Sequence, residues 1–208
     1  KKSDGTLDKF FKLVEKHKIT HLSYIFQTHP DHDHFLGMDR VLEHFTTGGR
    51  SVGVYCDTGC PQQVLGWLHQ GPGYRSYGQL QELVARLARE KKIEIFEISD
   101  QHLDIPVNGY PTIKFIPLAP NVTQKRVDMA AGLSRLARSP RARLEANALS
   151  IVMILQAEHV GSKLNVLLAA DAGEAELGKA LQIWEEKSGM VAGEGRLEVL
   201  NVPHHGSF

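Results

Sequence analysis

Cysteine is almost absent from the chain: its 208 residues include only Cys56 and Cys60. Two thiols with no further cysteine do not make a zinc knuckle. Two reduced thiols of a cytosolic protein are expected, with a local disulfide as the alternative. Net charge is absent as well. Lys and Arg number 24 and so do Asp and Glu, so no global field draws the chain to nucleic acid or membrane. Any attraction for an anionic substrate has to be local. No apolar run approaches the ~20 residues that span a bilayer, and no signal peptide opens the chain. No membrane segment and a cytoplasmic location are therefore expected. The opening Lys1-Lys2-Ser3-Asp4-Gly5 also lacks an initiating Met. The chain thus reads as a fragment, and the missing leader bears little on compartment. Repeats, linkers and low-complexity stretches are missing too. With 42% hydrophobic and 23% charged residues, residues 1–208 read as one domain with a sizeable core.

What is present is a dense cluster. Thr28 to Gly37 reads THPDHDHFLG and packs His29, Asp31, His32, Asp33 and His34 into six positions. Imidazole nitrogens and carboxylate oxygens bind divalent metals when they converge. A solvated, His-rich loop is the bland alternative. The flanks argue against it: Leu22 to Phe26 reads as a buried strand. Phe35, Met38, Val41, Leu42 and Phe45 fall at helical spacing. The cluster sits where a strand ends and a helix begins.

Along the rest of the chain, Thr6 is placed to cap a helix with Leu7, Phe10, Phe11 and Val14 on one face. Ser51 to Tyr55 reads as a strand. Pro61 opens a helix with Val64, Leu65 and Leu68, and Leu80, Leu83, Val84 and Leu87 mark another. Ile93 to Ile98 and Thr112 to Ile116 read as strands. Gln124 to Ala146 holds Lys125, Arg126, Arg135, Arg138, Arg141 and Arg143 against only Asp128 and Glu145. A solvated helix or loop is one reading, and a basic flap on phosphates the other. No aromatics interleave, so base stacking is unsupported. Leu149 to Leu155, Leu164 to Ala169 and Leu197 to Val202 read as strands, with a helix at Glu174 to Lys187. Short apolar strands with helices between several of them suggest an α/β fold with two sheets and helices outside.

Three strand candidates deliver ligand-type residues just past their C-terminal ends. His29 to His34 follow LSYIFQ, Asp171 follows LNVLLAA, and His204 and His205 follow LEVLNVP. Taken alone, Asp171 suits the cap of the next helix, and His204-His205 a turn. Together they point to one shared site at a sheet edge.

These residues resemble the metallo-β-lactamase superfamily, whose signature reads His-x-His-x-Asp-His. Here Asp31 holds the second His position. With VPHHGS at 202–207 and Asn147 to Ser150 leading a strand, the pattern is similar to the competence-protein (ComEC-like) branch. The resemblance covers nearly the whole chain in motif order. It implies a four-layer αβ/βα sandwich with two divalent ions, zinc or manganese, at the sheet edge. By that likeness His29 and Asp31 hold one ion, Asp33 and His34 the other, and Asp171 bridges. His204 joins the second ion, and His205 stands beside it as a substrate or proton-transfer group, with their order open to reversal. Asp33 and His205 are thereby the catalytic candidates. The usual middle histidine has no counterpart; Asn147 or Ser150 falls near its place. His32, Asn147, Ser150 and Ser207 are the candidates for substrate contact. The likeness also implies strands before the first motif and chain after the last, leaving the fold incomplete at both ends.

The chemistry follows from the donor set. Two ions ~3.5–4 Å apart clamp the attacking and leaving oxygens of a displacement, and a bound water ionises near neutral pH. Three carboxylates beside three imidazoles (His29, Asp31, Asp33, His34, Asp171, His204) make a harder site than an all-His one, which tilts it towards manganese as well as zinc. The first expectation is a metal-dependent phosphodiesterase, with DNA as the foremost substrate because of the resemblance. A hydrolase of a small phosphocholine ester, lactone or β-lactam is the alternative within enzymes. A non-catalytic nucleic-acid-binding scaffold is the alternative outside them.

Overall fold

The computed structural model describes residues 5–60, 72–102, 104–123, 125–127, 130, 149–188, 197 and 199–200. The expected helix after Pro61, most of the Arg-rich stretch and the whole of 201–208 lie outside the described residues.

Helix α1 (Gly5–Lys16) leads into strand β1 (His21–Phe26), a short helix α2 (His32–Phe35) and helix α3 (Met38–Phe45). Strand β2 (Ser51–Asp57), helix α4 (Pro72–Arg89) and strand β3 (Glu94–Glu97) follow. β1, β2 and β3 form a three-stranded parallel sheet in that order. A second sheet holds β4 (Ile105–Val107), β5 (Tyr110–Ala119), β6 (Val152–His159), β7 (Ser162–Leu168) and β8 (Val199–Leu200) in sequence order. Its first four strands are antiparallel, and β8 joins β7 in parallel. Helix α5 (Glu174–Ser188) connects those last two strands.

The alternation of strand side chains divides the apolar residues among three clusters. One face of the first sheet gives Ile25 and Tyr55 to a core shared with Val14, Leu42, Phe45, Leu80, Val84 and Leu87 of the helices, which Val52 joins at the start of β2. The other face gives Tyr24, Phe26, Val54 and Cys56 to a cluster completed by Phe115, Ile151, Met153 and Leu168 of the second sheet. The opposite face of that sheet, through Ile116, Leu118, Val152, Ile154 and Leu167, packs on Ala180 and Trp184 of α5. Burying each such large side chain stabilises the fold by about 1.5–3 kcal/mol before entropy is counted.

Two expectations need correction, and one element was not foreseen. The helix expected from Phe35 to Phe45 is broken: Gly37 sits at φ 86°, in the left-handed region, between α2 and α3. Glycine adopts that conformation without steric cost. Thr6 lies inside α1, which begins at Gly5, and so is not its cap. Strand β4 was not expected at all.

Cys56 and Cys60 are both free and buried, as the leading expectation had it. Burial pushes each thiol up to about 12, so only about one in ten thousand is ionised at pH 8. Neither is therefore expected to react with iodoacetamide in the native protein at pH 8 over an hour. Both should label promptly in denaturant, and mass spectrometry of the alkylated chain distinguishes the two results. Native labelling would contradict the burial.

Candidate metal centre

Two strand ends, one from each sheet, build the centre. β1 ends at Phe26, and Gln27 continues its pairing by donating its amide to the Cys56 carbonyl at 2.8 Å. The chain then turns through Thr28–Asp31 into α2, whose first turn closes with the His34 amide on the Asp31 carbonyl at 3.0 Å. That turn brings His34 back over His29, and their ring centres lie 4.0 Å apart. From the other sheet β7 runs to Leu168, and Ala170, at φ 48°, carries the chain to Asp171. Left-handed backbone at a non-glycine residue costs about 1–2 kcal/mol, and here it falls one residue before the carboxylate that meets the histidines.

His34 Nε2 lies 3.2 Å from Asp171 Oδ2, and His29 Nε2 3.8 Å from the same oxygen. Ligand-type atoms of His29, His34 and Asp171 all fall within 4.8 Å of one another. His29 is wholly buried, at 0% exposure, and its Nε2 has no hydrogen-bond partner among the described residues. Burial, reinforced by the His34 ring alongside, pushes His29 down to about 4 despite nearby carboxylates. It is therefore neutral at pH 7, with a ring nitrogen able to offer a lone pair. A buried, orphaned imidazole nitrogen beside a second imidazole and a carboxylate fits a divalent ion of the zinc or manganese type.

Asp31 and Asp33 stand at the rim of this group. Asp31 Oδ2 is 3.8 Å from His29 Nε2, and Asp33 Oδ2 is 3.8 Å from His34 Nε2. Their side chains are 33% and 63% exposed, against 9% for Asp171. Asp33 and His34 are adjacent on α2 and so project about 100° apart around its axis. Of the six expected ligands, the structure converges three and sets two beside them. His204 lies outside the described residues, as do His205, Ser207 and Asn147. His32 opens α2, and its side chain is also outside them. Ser150 is buried at 1% exposure, and its hydroxyl finds no partner among the described residues.

Two residues with no assigned role in the sequence reading support the cluster. Gln27 donates its side-chain amide to the His29 carbonyl at 2.7 Å and to the His34 carbonyl at 3.4 Å. Thr28 Oγ1 lies 3.3 Å from Nδ1 of both His29 and His34. The Thr28 carbonyl accepts the Ile151 amide at 2.9 Å, which ties the turn to the other sheet. Polar residues at the end of a strand that runs into the His/Asp cluster were the available signal.

The basic stretch is corrected in one place. Lys125 is buried, pairs with Glu97, and donates to the Thr58 carbonyl at 2.6 Å. It holds the loop after β2 and is not a phosphate contact on a solvated flap. Arg126 is exposed, and Arg135, Arg138, Arg141 and Arg143 lie outside the described residues. A cavity of about 670 Å³ between α3 and α4, bordered by Phe35, Glu43, Leu80 and Arg86, contains none of the six expected ligands. Among the described residues no helix is long and apolar enough to cross a membrane.

Comparison of the chain with protein-family models, with curated proteins and with solved structures finds no match.

Proposed function

We propose that the chain is a divalent-metal-dependent hydrolase of phosphodiesters, with DNA the foremost substrate, on a four-layer αβ/βα sandwich of the metallo-β-lactamase kind. The layering is supported by the three apolar clusters, which run helices, sheet, sheet, helix. The observation that carries the function is the meeting of His29, His34 and Asp171. These residues come from the ends of two strands in different sheets.

In this reading the cofactor is two ions, zinc or manganese. His29, His34 and Asp171 hold one, and Asp31 and Asp33 give oxygen ligands towards the other. When bound, such ions lower the pKa of water and polarise a phosphoryl oxygen. The chain's own part is to keep His29 neutral and dry. It also brings a buried carboxylate against two imidazoles and leaves Asp31 and Asp33 at the rim, open to the side from which substrate would arrive.

The test is a time course on end-labelled single- and double-stranded DNA with zinc or manganese, using His34→Ala as the control. Cleavage is expected to need both the metal and His34, while the variant still binds DNA. Intact DNA in the presence of protein shown to carry metal would overturn the phosphodiesterase reading in favour of a small ester. DNA binding without turnover of any ester would favour the scaffold.

A further inference from the structure

We propose that Thr28 is the positioning residue of this centre: its single hydroxyl sets the tautomers of His29 and His34 so that Nε2 of each is offered beside Asp171. The inference deepens the metal-centre reading and rests on it for its consequence, though its first test does not need a metal.

The protons of both rings are accounted for at one oxygen. An imidazole that binds a cation through Nε2 keeps its proton on Nδ1, which then needs an acceptor. Both Nδ1 atoms lie 3.3 Å from Thr28 Oγ1, at the long edge of hydrogen-bonding range. A hydroxyl oxygen has two lone pairs and one rotatable hydrogen. It can therefore accept from both rings at once and send its own hydrogen elsewhere, which a backbone amide cannot do.

His29 Nε2 is buried without a hydrogen-bond partner among the described residues. A proton there would be stranded, so its proton belongs on Nδ1, facing Thr28. His34 Nε2 lies 3.2 Å from Asp171 Oδ2 but likewise makes no hydrogen bond among the described residues, so a proton placed there gains only the nearby charge of the carboxylate. When His34 gives that nitrogen to a cation its proton also sits on Nδ1, and the one hydroxyl accepts from both rings.

Thr28 is also placed to hold this geometry. Its carbonyl is fixed by the Ile151 amide from the second sheet, and the main chain at both histidines is held by Gln27.

The experiment is nitrogen-15 NMR of the histidine rings in the full chain at pH 7, first metal-free and then with zinc. Zinc affinity is measured by competition with a chromophoric chelator. Metal-free wild type is expected to show His29 with its proton on Nδ1, and the zinc-loaded form both rings so. Thr28→Val should lose about 10–100-fold in zinc affinity, and Thr28→Ser, which keeps the hydroxyl, should stay within about threefold of wild type. A metal-free His29 carrying its proton on Nε2 would overturn the proposal without any variant having to fold. Thr28→Val binding zinc like wild type would overturn it too. A wild type that shows the expected His29 tautomer yet binds no zinc would sink the metal-centre reading and leave the Thr28 contact standing.

Discussion

Asp171→Ala is expected to lower affinity for zinc or manganese by about two to three orders of magnitude while leaving the metal-free fold intact. The scale is that of removing one member of a buried charge pair, about 3–5 kcal/mol, at 1.4 kcal/mol per tenfold. Among the described residues Asp171 is the only anion that meets both histidines, and its side chain is 9% exposed. Without it two imidazoles would remain of the convergent set, and the compensating charge would have to come from Asp31 and Asp33 at the more exposed rim. The fold survives the change because His29, pushed down to about 4, is uncharged at pH 7 and is not left as a stranded cation. Asp171→Asn keeps the shape of the side chain and removes the charge. It should lose metal nearly as badly, which separates electrostatics from packing. Calorimetric titration of both variants, with circular dichroism for the fold, checks the result. Affinity within threefold of wild type in either variant would remove Asp171 from the centre.

The second large effect falls on the backbone. Gly53 lies in β2, where neighbours Val52 and Val54 pair with Leu22 and Tyr24 of β1. A Cβ at Gly53 would stand 2.6 Å from the Ser23 carbonyl oxygen and 3.5 Å from its carbon. That neighbour is main chain in a hydrogen-bonded ladder, so relief requires the two strands to part. Gly53→Val is therefore expected to destabilise by roughly 3 kcal/mol, the upper end for overpacking. It should also weaken metal binding, since β1 is the strand that delivers the histidines. Gly178, within α5, has open space around its Cβ position. There alanine removes only the entropic cost of glycine in a helix, and Gly178→Ala should gain about 0.5–1 kcal/mol. Urea unfolding of the two variants should move the midpoint in opposite directions, and a midpoint for Gly53→Val at or above wild type would contradict the strand spacing.

How much of this was legible in the sequence depends on whether a local pattern or a distant partner decides each feature. β1 and the cluster after it were readable because Leu22 to Phe26 is a compact apolar run ending in polar ligands. α5 was readable from Glu174 onwards, and β6 and β7 from their apolar cores. The break at Gly37 was hidden because apolar residues keep helical spacing across it, from Phe35 through Met38 to Phe45. β4 is three residues long with Pro106 at its centre, too short for any period to show. Lys125 read as part of a charge run, and only its contact with Glu97 and Thr58, far away in sequence, turns it inward. The meeting of His29, His34 and Asp171 was anticipated from the three strand ends and from the family likeness. The part played by Thr28 was not, because it depends on how tightly α2 folds back over the residue before His29.

His29 and His34 follow a strand of one sheet, and Asp171 follows a strand of the other. A cation held by all three would be a reversible staple across the seam between the sheets, fastening segments distant in sequence. Loading and folding would then be one coupled equilibrium. Durability would track free metal as RT ln(1 + [M]/Kd), about 2.7 kcal/mol at a hundredfold excess over Kd. A chelator would loosen the whole molecule as well as silence it, and metal starvation would shorten the protein's lifetime before any change in its synthesis.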